Sequence, residues 1–379
     1  MRYFISAGEP SGDLHAARVA KALRDRDANA EFAFLGGDLL AEATGGQPVI
    51  HYRKMAYMGF SEVLRNLSTI YGNIRTARAA LLDFKPDVLI LVDYPDFNFR
   101  LARTAKEAGI PVVWYVPPKV WAWKKWRVKT MRRLVDKVLC IFPFEPEFLK
   151  KQGLANAVYV GNPSVEEVDE KLKALGDRNT FIYKHDLTSR PILALVPGSR
   201  RSEIRNNLPL MSQAALRHPS LQPVVAAAPG IETEYYRQYT TLPLVQGDTL
   251  ALMAFAEVAL VTSGTATLEC ALVGTPQVAC YRGNGSPITY AIMERLLKIN
   301  YVTLPNLVAD SGIIPELLLN KCTLESIDSE LRDIVPGGSK RQTMIDGYAR
   351  MRAVLGTSDC SRQAAEEILQ TVNSQRDKS

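Results

Sequence analysis

Histidine and cysteine are scarce in this chain, and their scatter removes whole classes of chemistry. Four histidines stand among 379 residues. His15, His51, His185 and His218 have no spacing that would gather ligands for zinc or another transition metal, so no metal site is expected. The five cysteines, Cys140, Cys270, Cys280, Cys322 and Cys360, are odd in number and widely spaced. They read as buried, reduced thiols of a cytoplasmic protein rather than as a disulfide framework. No uninterrupted apolar run approaches the roughly eighteen residues of a membrane-crossing helix. The chain opens on the strand-like run Arg2–Ala7, and no signal peptide is expected. Repeats of fixed period and low-complexity tracts are also missing. The net charge of +6 is modest. It permits attraction to anionic lipid or phosphorylated substrates without establishing nucleic-acid binding.

A chain of this length exceeds one comfortable core and suggests two domains. Strand and helix patterns alternate almost throughout. Candidate strands are Arg2–Ala7, Glu31–Gly36, Asp87–Asp93, Val112–Val116, Lys137–Ile141 and Ala157–Gly161, then Ile192–Val196, Pro223–Ala227, Leu244–Gln246, Val258–Thr262 and Gln277–Cys280. The runs Val88–Val92 and Val112–Val116 are continuously apolar, which suits a parallel sheet covered on both faces. The polar stretch Glu166–Ser189 reads as a helix and an irregular connection. The fold class expected is α/β, with two doubly wound Rossmann-like domains facing across a crevice. Their boundaries fall at residues 1–164 and 165–355, with a C-terminal helix at 356–373 packing back on the first domain.

Two glycine turns in the second half carry the most information. Val196-Pro-Gly-Ser-Arg200 and Ser263-Gly-Thr-Ala-Thr-Leu-Glu269 each follow an apolar run and lead into a helical pattern. Free backbone N–H groups and the positive end of the helix dipole suit anions there. Arg200 adds a planar fork matched to phosphate oxygens. Glu269 can accept hydrogen bonds from ribose hydroxyls. Each turn alone reads equally well as an ordinary capped turn; together they point to a nucleotide diphosphate.

Three loops in the first half follow candidate strands. In Ala7-Gly-Glu-Pro-Ser-Gly-Asp13 the glycines allow close approach, and Ser11 or Asp13 can cap the next helix. The spacing is not that of the dinucleotide fingerprint. An Asp here repels bare phosphate and points instead to sugar hydroxyls. In Asp93-Tyr-Pro-Asp-Phe-Asn98, Asp96 and Asp93 stand where an open parallel sheet binds ligands. Either they serve as base and orienting group, or they are a solvated residue and a cap. The loop Val116–Trp126 holds three tryptophans in six residues, either packing or forming a wall for a sugar or acyl chain. The basic run Lys124–Arg133 is a solvated helix face or a seat on anionic lipid. The segment Met55–Tyr71 carries Met55, Met58, Phe60, Leu64 and Leu67, a core stripe or an adaptable acyl surface.

AGEPSGD at 7–13, MGFSEVL at 58–64, KPDVLILVDYPDFN at 85–98, VWAWK at 120–124, PFE at 143–145, GNP at 161–163, PGSR at 197–200, SGTATLE at 263–269 and YVTLPNL at 301–307 together resemble the lipid-A-disaccharide synthase family, inverting glycosyltransferases of the GT-B architecture. The likeness covers most of the chain. It departs at Pro117, where the family often has Ser, and at Lys124, where Arg is common. The resemblance implies transfer of diacylglucosamine from UDP-diacylglucosamine to diacylglucosamine 1-phosphate. It also implies peripheral attachment to the cytoplasmic face of the inner membrane of a Gram-negative cell, with no cofactor.

By that resemblance, Asp96 is the base and Arg200 stabilises the leaving UDP. Gly198, Ser199, Ser263, Gly264, Thr265, Glu269 and Asn306 complete the donor side. Glu9, Ser11, Asp13, Asp93, Asn98 and Trp121 shape the acceptor side. Met55, Met58, Phe60, Leu64 and Leu67 contact acyl chains, and Lys125, Arg127 and Lys129 contact lipid phosphate. A homo-oligomer is compatible with this reading, and no nucleic-acid partner is expected. Alternatives are another UDP-sugar enzyme of the same architecture, such as a muramyl-lipid glucosaminyltransferase or a sugar epimerase, and a non-catalytic nucleotide-binding membrane protein.

Overall fold

The chain builds two parallel sheets, each in its own unit: Met1–Pro163 with Thr357–Ser379, and Ser164–Gly356. The computed structural model describes residues 1–55, 67–121, 125–262, 264–283, 301–357 and 359–377. Met58, Phe60, Leu64, Lys124 and Ser263 lie outside the described residues, as does the side chain of Leu67.

The first unit runs β1 (Arg2–Ala7), α1 (Pro10–Arg24), β2 (Glu31–Gly36), α2 (Asp38–Thr44), β3 (Ile50–His51), α3 (Leu67–Phe84), β4 (Val88–Val92), α4 (Pro95–Glu107), β5 (Val112–Tyr115), α5 (Arg127–Leu134), β6 (Lys137–Cys140), α6 (Glu145–Lys151) and β7 (Ala157–Tyr159). All neighbours are parallel, in the order β3-β2-β1-β4-β5-β6-β7. Every residue of β4 is buried, because helices cover both faces and leave no polar side for alternation to mark.

The C-terminal helix α16 (Cys360–Arg376) lies along α1. Small side chains on both helices, Ala16, Ala17 and Ala20 against Ala364 and Ala365, are buried. Ion pairs Arg26–Glu366 at 2.9 Å and Arg376–Asp87 at 2.7 Å flank the helix. Such partly exposed pairs are worth about 1 kcal/mol or less. Burial of Cys360, Ile368 and Val372 therefore holds α16 in place.

The second unit runs α7 (Pro163–Lys173), α8 (Arg178–Lys184), β8 (Ile192–Val196), α9 (Arg201–Leu216), β9 (Gln222–Ala227), α10 (Thr233–Arg237), β10 (Leu244–Gln246), α11 (Thr249–Phe255), β11 (Ala256–Val261), α12 (Gly264–Leu272), β12 (Gln277–Tyr281), α13 (Leu304–Ala309), β13 (Glu316–Leu318), α14 (Leu324–Ile334) and α15 (Arg341–Leu355). Its sheet, also parallel, is ordered β10-β9-β8-β11-β12-β13.

Several elements go beyond the sequence reading, α13 to α15 among them. β3 and β13 are two and three residues long, too short for a periodic signal, and exist by pairing with β2 and β12. The stretch read as one helix and a connection holds both α7 and α8. Asp177 caps α8, its carboxylate accepting from the N–H groups of Asn179 at 2.9 Å and Thr180 at 3.0 Å.

Strand order reverses between β1 and β4 in the first sheet and between β8 and β11 in the second. In open α/β sheets, ligands bind beyond the strand ends at such a switch point. The GEPSGD and DYPDFN turns follow β1 and β4; the PGSR and SGTATLE turns follow β8 and β11. All four motif turns thus stand at the two switch points.

Candidate active site

In the first unit the chain leaves β1 through Gly8 and enters α1 at Pro10, with Glu9 at the N-cap making no side-chain capping bond. Ser11 is exposed, and neither it nor Asp13 caps this helix. Asp13 is buried and turned to the neighbouring crossover. Its carboxylate accepts from the N–H groups of Gly37 at 2.6 Å and Leu39 at 3.1 Å, so it caps α2. Burial pushes its carboxyl above the ordinary range, against the pull of those N–H groups. Both oxygens are thereby engaged in tying two turns together, a structural role beside the sugar contact expected of this residue.

The turn after β4 is strained. Asp93 and Tyr94 lie in the left-handed region at φ 45° and 46°, and Val116, after β5, at φ 54°. Each non-glycine residue there costs on the order of 1–2 kcal/mol, and a β-branched one is a genuine outlier. The three are coupled: the Asp93 N–H donates to the carbonyls of Val116 at 3.2 Å and Tyr115 at 3.4 Å. The strain buys a sharp exit from the sheet. Tyr94 folds over Gly8, where a Cβ would sit 2.3 Å from the ring, and its hydroxyl donates to the Met55 carbonyl at 2.7 Å. Burial raises the Asp93 carboxyl, partly offset by the Lys119 charge and the Tyr94 N–H.

Asn98 is fully buried beneath this turn. Its Oδ1 accepts from Ser6 Oγ at 2.7 Å, and its Nδ2 donates to the Asp93 carbonyl at 2.7 Å. It braces β1 against β4 and does not face a ligand. Asp96, in the first turn of α4, is instead open: its side chain is 84% exposed. One carboxylate oxygen meets the guanidinium of Arg127, which is only 4% exposed. The burial of Arg127 overturns its assignment to a lipid-facing surface. Lys125 and Lys129 on the same segment are exposed, beside the exposed indole of Trp126. Met55, expected as an acyl contact or a core residue, is buried in the core cluster.

Trp121 donates its indole N–H to Glu145 Oε1 at 3.0 Å. Glu145 closes the PFE marker at 143–145. It is 2% exposed, and its other oxygen accepts from the N–H groups of Ile141 and Phe142, each at 3.0 Å.

The second unit holds a cavity of about 700 Å³ at the ends of its central strands, lined among others by Lys171, Phe181, Gly198, Ser199, Thr265 and Glu269. Glu269, on α12, is half-buried there; burial and nearby Glu167 raise its carboxyl, and Lys171 opposes them. Arg200 is the N-cap of α9 with its side chain 71% exposed.

The N–H groups of Ser199 and Arg200 already have a partner within the protein. Glu203 Oε2 accepts both, at 2.9 and 3.2 Å, as the third residue of a capping box. Gly198, at φ 107°, is required because a Cβ would lie 2.4 Å from that carboxylate. The Glu three residues after Arg200 was the sequence signal for this. Asn306 is corrected as well. It is 1% exposed; its Nδ2 donates to the Ile314 carbonyl at 3.0 Å and Glu316 Oε1 at 2.9 Å, while its Oδ1 accepts from the N–H groups of Ile313 and Ile314. An amide side chain has no further capacity once both donors and both lone pairs are used. Asn306 fastens α13 to the chain entering β13.

Comparison with known proteins agrees with this geometry. By fold, the chain resembles a UDP-GlcNAc 2-epimerase from Neisseria meningitidis solved with UDP-GlcNAc, at TM-score 0.66 and 13% identity, covering 98% of this chain and 100% of that one. It also resembles S. aureus MnaA solved with UDP, at TM-score 0.68 and 13% identity, covering 98% and 97%. At such identity these likenesses establish the two-domain GT-B fold alone. By sequence, it is 41% identical to the lipid-A-disaccharide synthase of Myxococcus xanthus over 97% of each chain. It is 36% identical to that of Acidobacterium capsulatum, over 97% of this chain and 96% of the relative. The family model for lipid-A-disaccharide synthetase matches residues 3–371. With this match across nearly its whole length, the chain belongs to the lipid-A-disaccharide synthase family.

Proposed function

We propose that the protein transfers diacylglucosamine from UDP-diacylglucosamine to the primary hydroxyl of diacylglucosamine 1-phosphate with inversion, releasing UDP. The observation that carries this reading is the exposed Asp96 carboxylate at one switch point, held through one oxygen by a buried guanidinium. The other oxygen is offered to the acceptor hydroxyl. As that hydroxyl oxygen bonds to the anomeric carbon, its proton passes to Asp96, and the bond from the anomeric carbon to the UDP oxygen breaks with its electron pair on UDP. General-base help of this kind is worth about 10²–10⁴ in rate.

The nucleoside enters the cavity of the second unit, with Glu269 accepting from ribose hydroxyls. Because Glu203 occupies the Ser199 and Arg200 N–H groups, the diphosphate falls to the Arg200 guanidinium and the α12 N-terminus at Gly264 and Thr265. Charge develops on the diphosphate as it leaves, so these donors matter most in the transition state.

No helix among the described residues is long and apolar enough to cross a membrane. The acylated substrates are then met at a bilayer surface through Lys125, Trp126 and Lys129, where each cation near anionic lipid contributes about 1 kcal/mol. The deciding experiment is incubation of the purified protein with both substrates and mass spectrometry of the products. A disaccharide 1-phosphate formed with stoichiometric UDP is expected. UDP released without acceptor, or UDP bound without turnover, overturns the proposal.

A further inference from the structure

Glu145 lies outside the transfer chemistry just described, yet its carboxyl is buried at the exit of β6 in the first unit. Its three N–H donors come from two places. Ile141 and Phe142 belong to the exit of β6; Trp121 belongs to the loop that follows β5 and runs toward α5. The indole also stands edge-on to Phe144, 5.2 Å between centroids, and to Phe142 at 6.2 Å. Those two rings stack on each other at 5.6 Å. Arg127, six residues further along the chain from Trp121, holds Asp96 from α5.

We propose that Glu145 is a positioning residue for the acceptor side: in its ionised form it latches Trp121, and so fixes where that indole stands at the acceptor-binding surface. The inference rests on the proposed transfer reaction only for its kinetic readout. A carboxylate accepts from all three donors. A carboxylic acid places its own proton on one oxygen and must lose or weaken one of the bonds. Burial pushes the Glu145 carboxyl up to about 7, against its hydrogen bonds and the charge of Lys119, so both forms are populated near neutrality. The other titratable groups its charge reaches are Cys140 on β6 and Tyr159 on β7, both raised by burial and so neutral over that range.

Two variants and two readouts test the latch. Glu145→Gln replaces an acceptor with an amide; Trp121→Phe keeps a ring and removes the donor. In the wild type, the acceptor KM should rise as pH falls below about 7 while kcat changes less. Both variants should show a raised, pH-independent KM, by roughly ten- to a hundredfold, the worth of a hydrogen bond to a charged group. Calorimetry with UDP should give wild-type affinity in both. Without substrate, the wild-type tryptophan emission should shift with a midpoint near pH 7, and that shift should vanish in both variants. If wild-type emission shows no such transition, or the variants keep it, the latch is refuted whatever the enzyme does. If the transition is present and the wild type turns over no substrate, the transfer reading fails and the latch stands.

Discussion

Replacing Glu145 by Gln should change how the first unit's stability depends on pH, and the size of the change follows from its burial. In the unfolded chain this carboxyl titrates near its ordinary 4.5; in the folded protein it is pushed up to about 7. Below 4.5 it is neutral in both states and contributes nothing. As pH rises past 4.5 the unfolded chain ionises first and is favoured. Stability therefore falls until the folded group also ionises at about 7, then levels off. At about 1.4 kcal/mol per pH unit, the loss amounts to about 3 kcal/mol. A glutamine does not titrate, so the wild-type stability minus that of Glu145→Gln should drop by about this amount between pH 4.5 and 8, with every other group cancelling. The assay is urea unfolding followed by tryptophan fluorescence. All four tryptophans, Trp114, Trp121, Trp123 and Trp126, belong to the first unit, so the signal reports that unit and avoids the two-domain ambiguity. A difference that stays flat, or rises with pH, would refute the reasoning.

Asp96→Asn should fold normally and bind UDP as the wild type does while losing about 10²–10⁴ in transfer rate, measured by product formation at saturating substrates. Arg200→Ala should weaken UDP binding by calorimetry and slow the chemical step further. Asn306→Ala should instead lower the unfolding free energy of the second unit, from urea titration, by about 1–3 kcal/mol, because it strands the Ile313 and Ile314 N–H groups and the Ile314 carbonyl away from water. If Asn306→Ala keeps its stability and loses only UDP affinity, the bracing role is wrong. Neutralising Lys125 and Lys129 together should reduce flotation with anionic vesicles at low salt by about 1 kcal/mol per charge, an effect that fades at high salt. Arg127→Ala should leave vesicle binding intact and impair turnover, since its guanidinium faces Asp96.

The architecture was legible in the chain because it rests on local signals. Five consecutive apolar residues at Val88–Val92, and again at Ile192–Val196, are too short for a buried helix and suit strands covered on both faces, and the helices between them favour parallel neighbours. The glycine turns were visible for the same reason: Gly198 answers a backbone demand a few residues wide. Which polar side chain in those turns looks outward was not legible. Asp13, Asn98 and Asp96 all sit in motif segments and carry the same kinds of group, but the partners that orient them are distant in the chain. Asn98 meets Ser6 across 92 residues, Asp13 meets Gly37 across 24, and Asp96 meets Arg127 across 31. A buried polar atom must find a partner, and only the register of β1 against β4 and the packing of each crossover determine whether that partner is a ligand or the protein itself. The chain therefore announces where ligands gather, at the ends of apolar runs. The folded sheets, by bringing remote backbone N–H groups and a buried guanidinium to those ends, decide which carboxylate is buried in holding a turn, as Asp13 is, and which stays exposed, as Asp96 does.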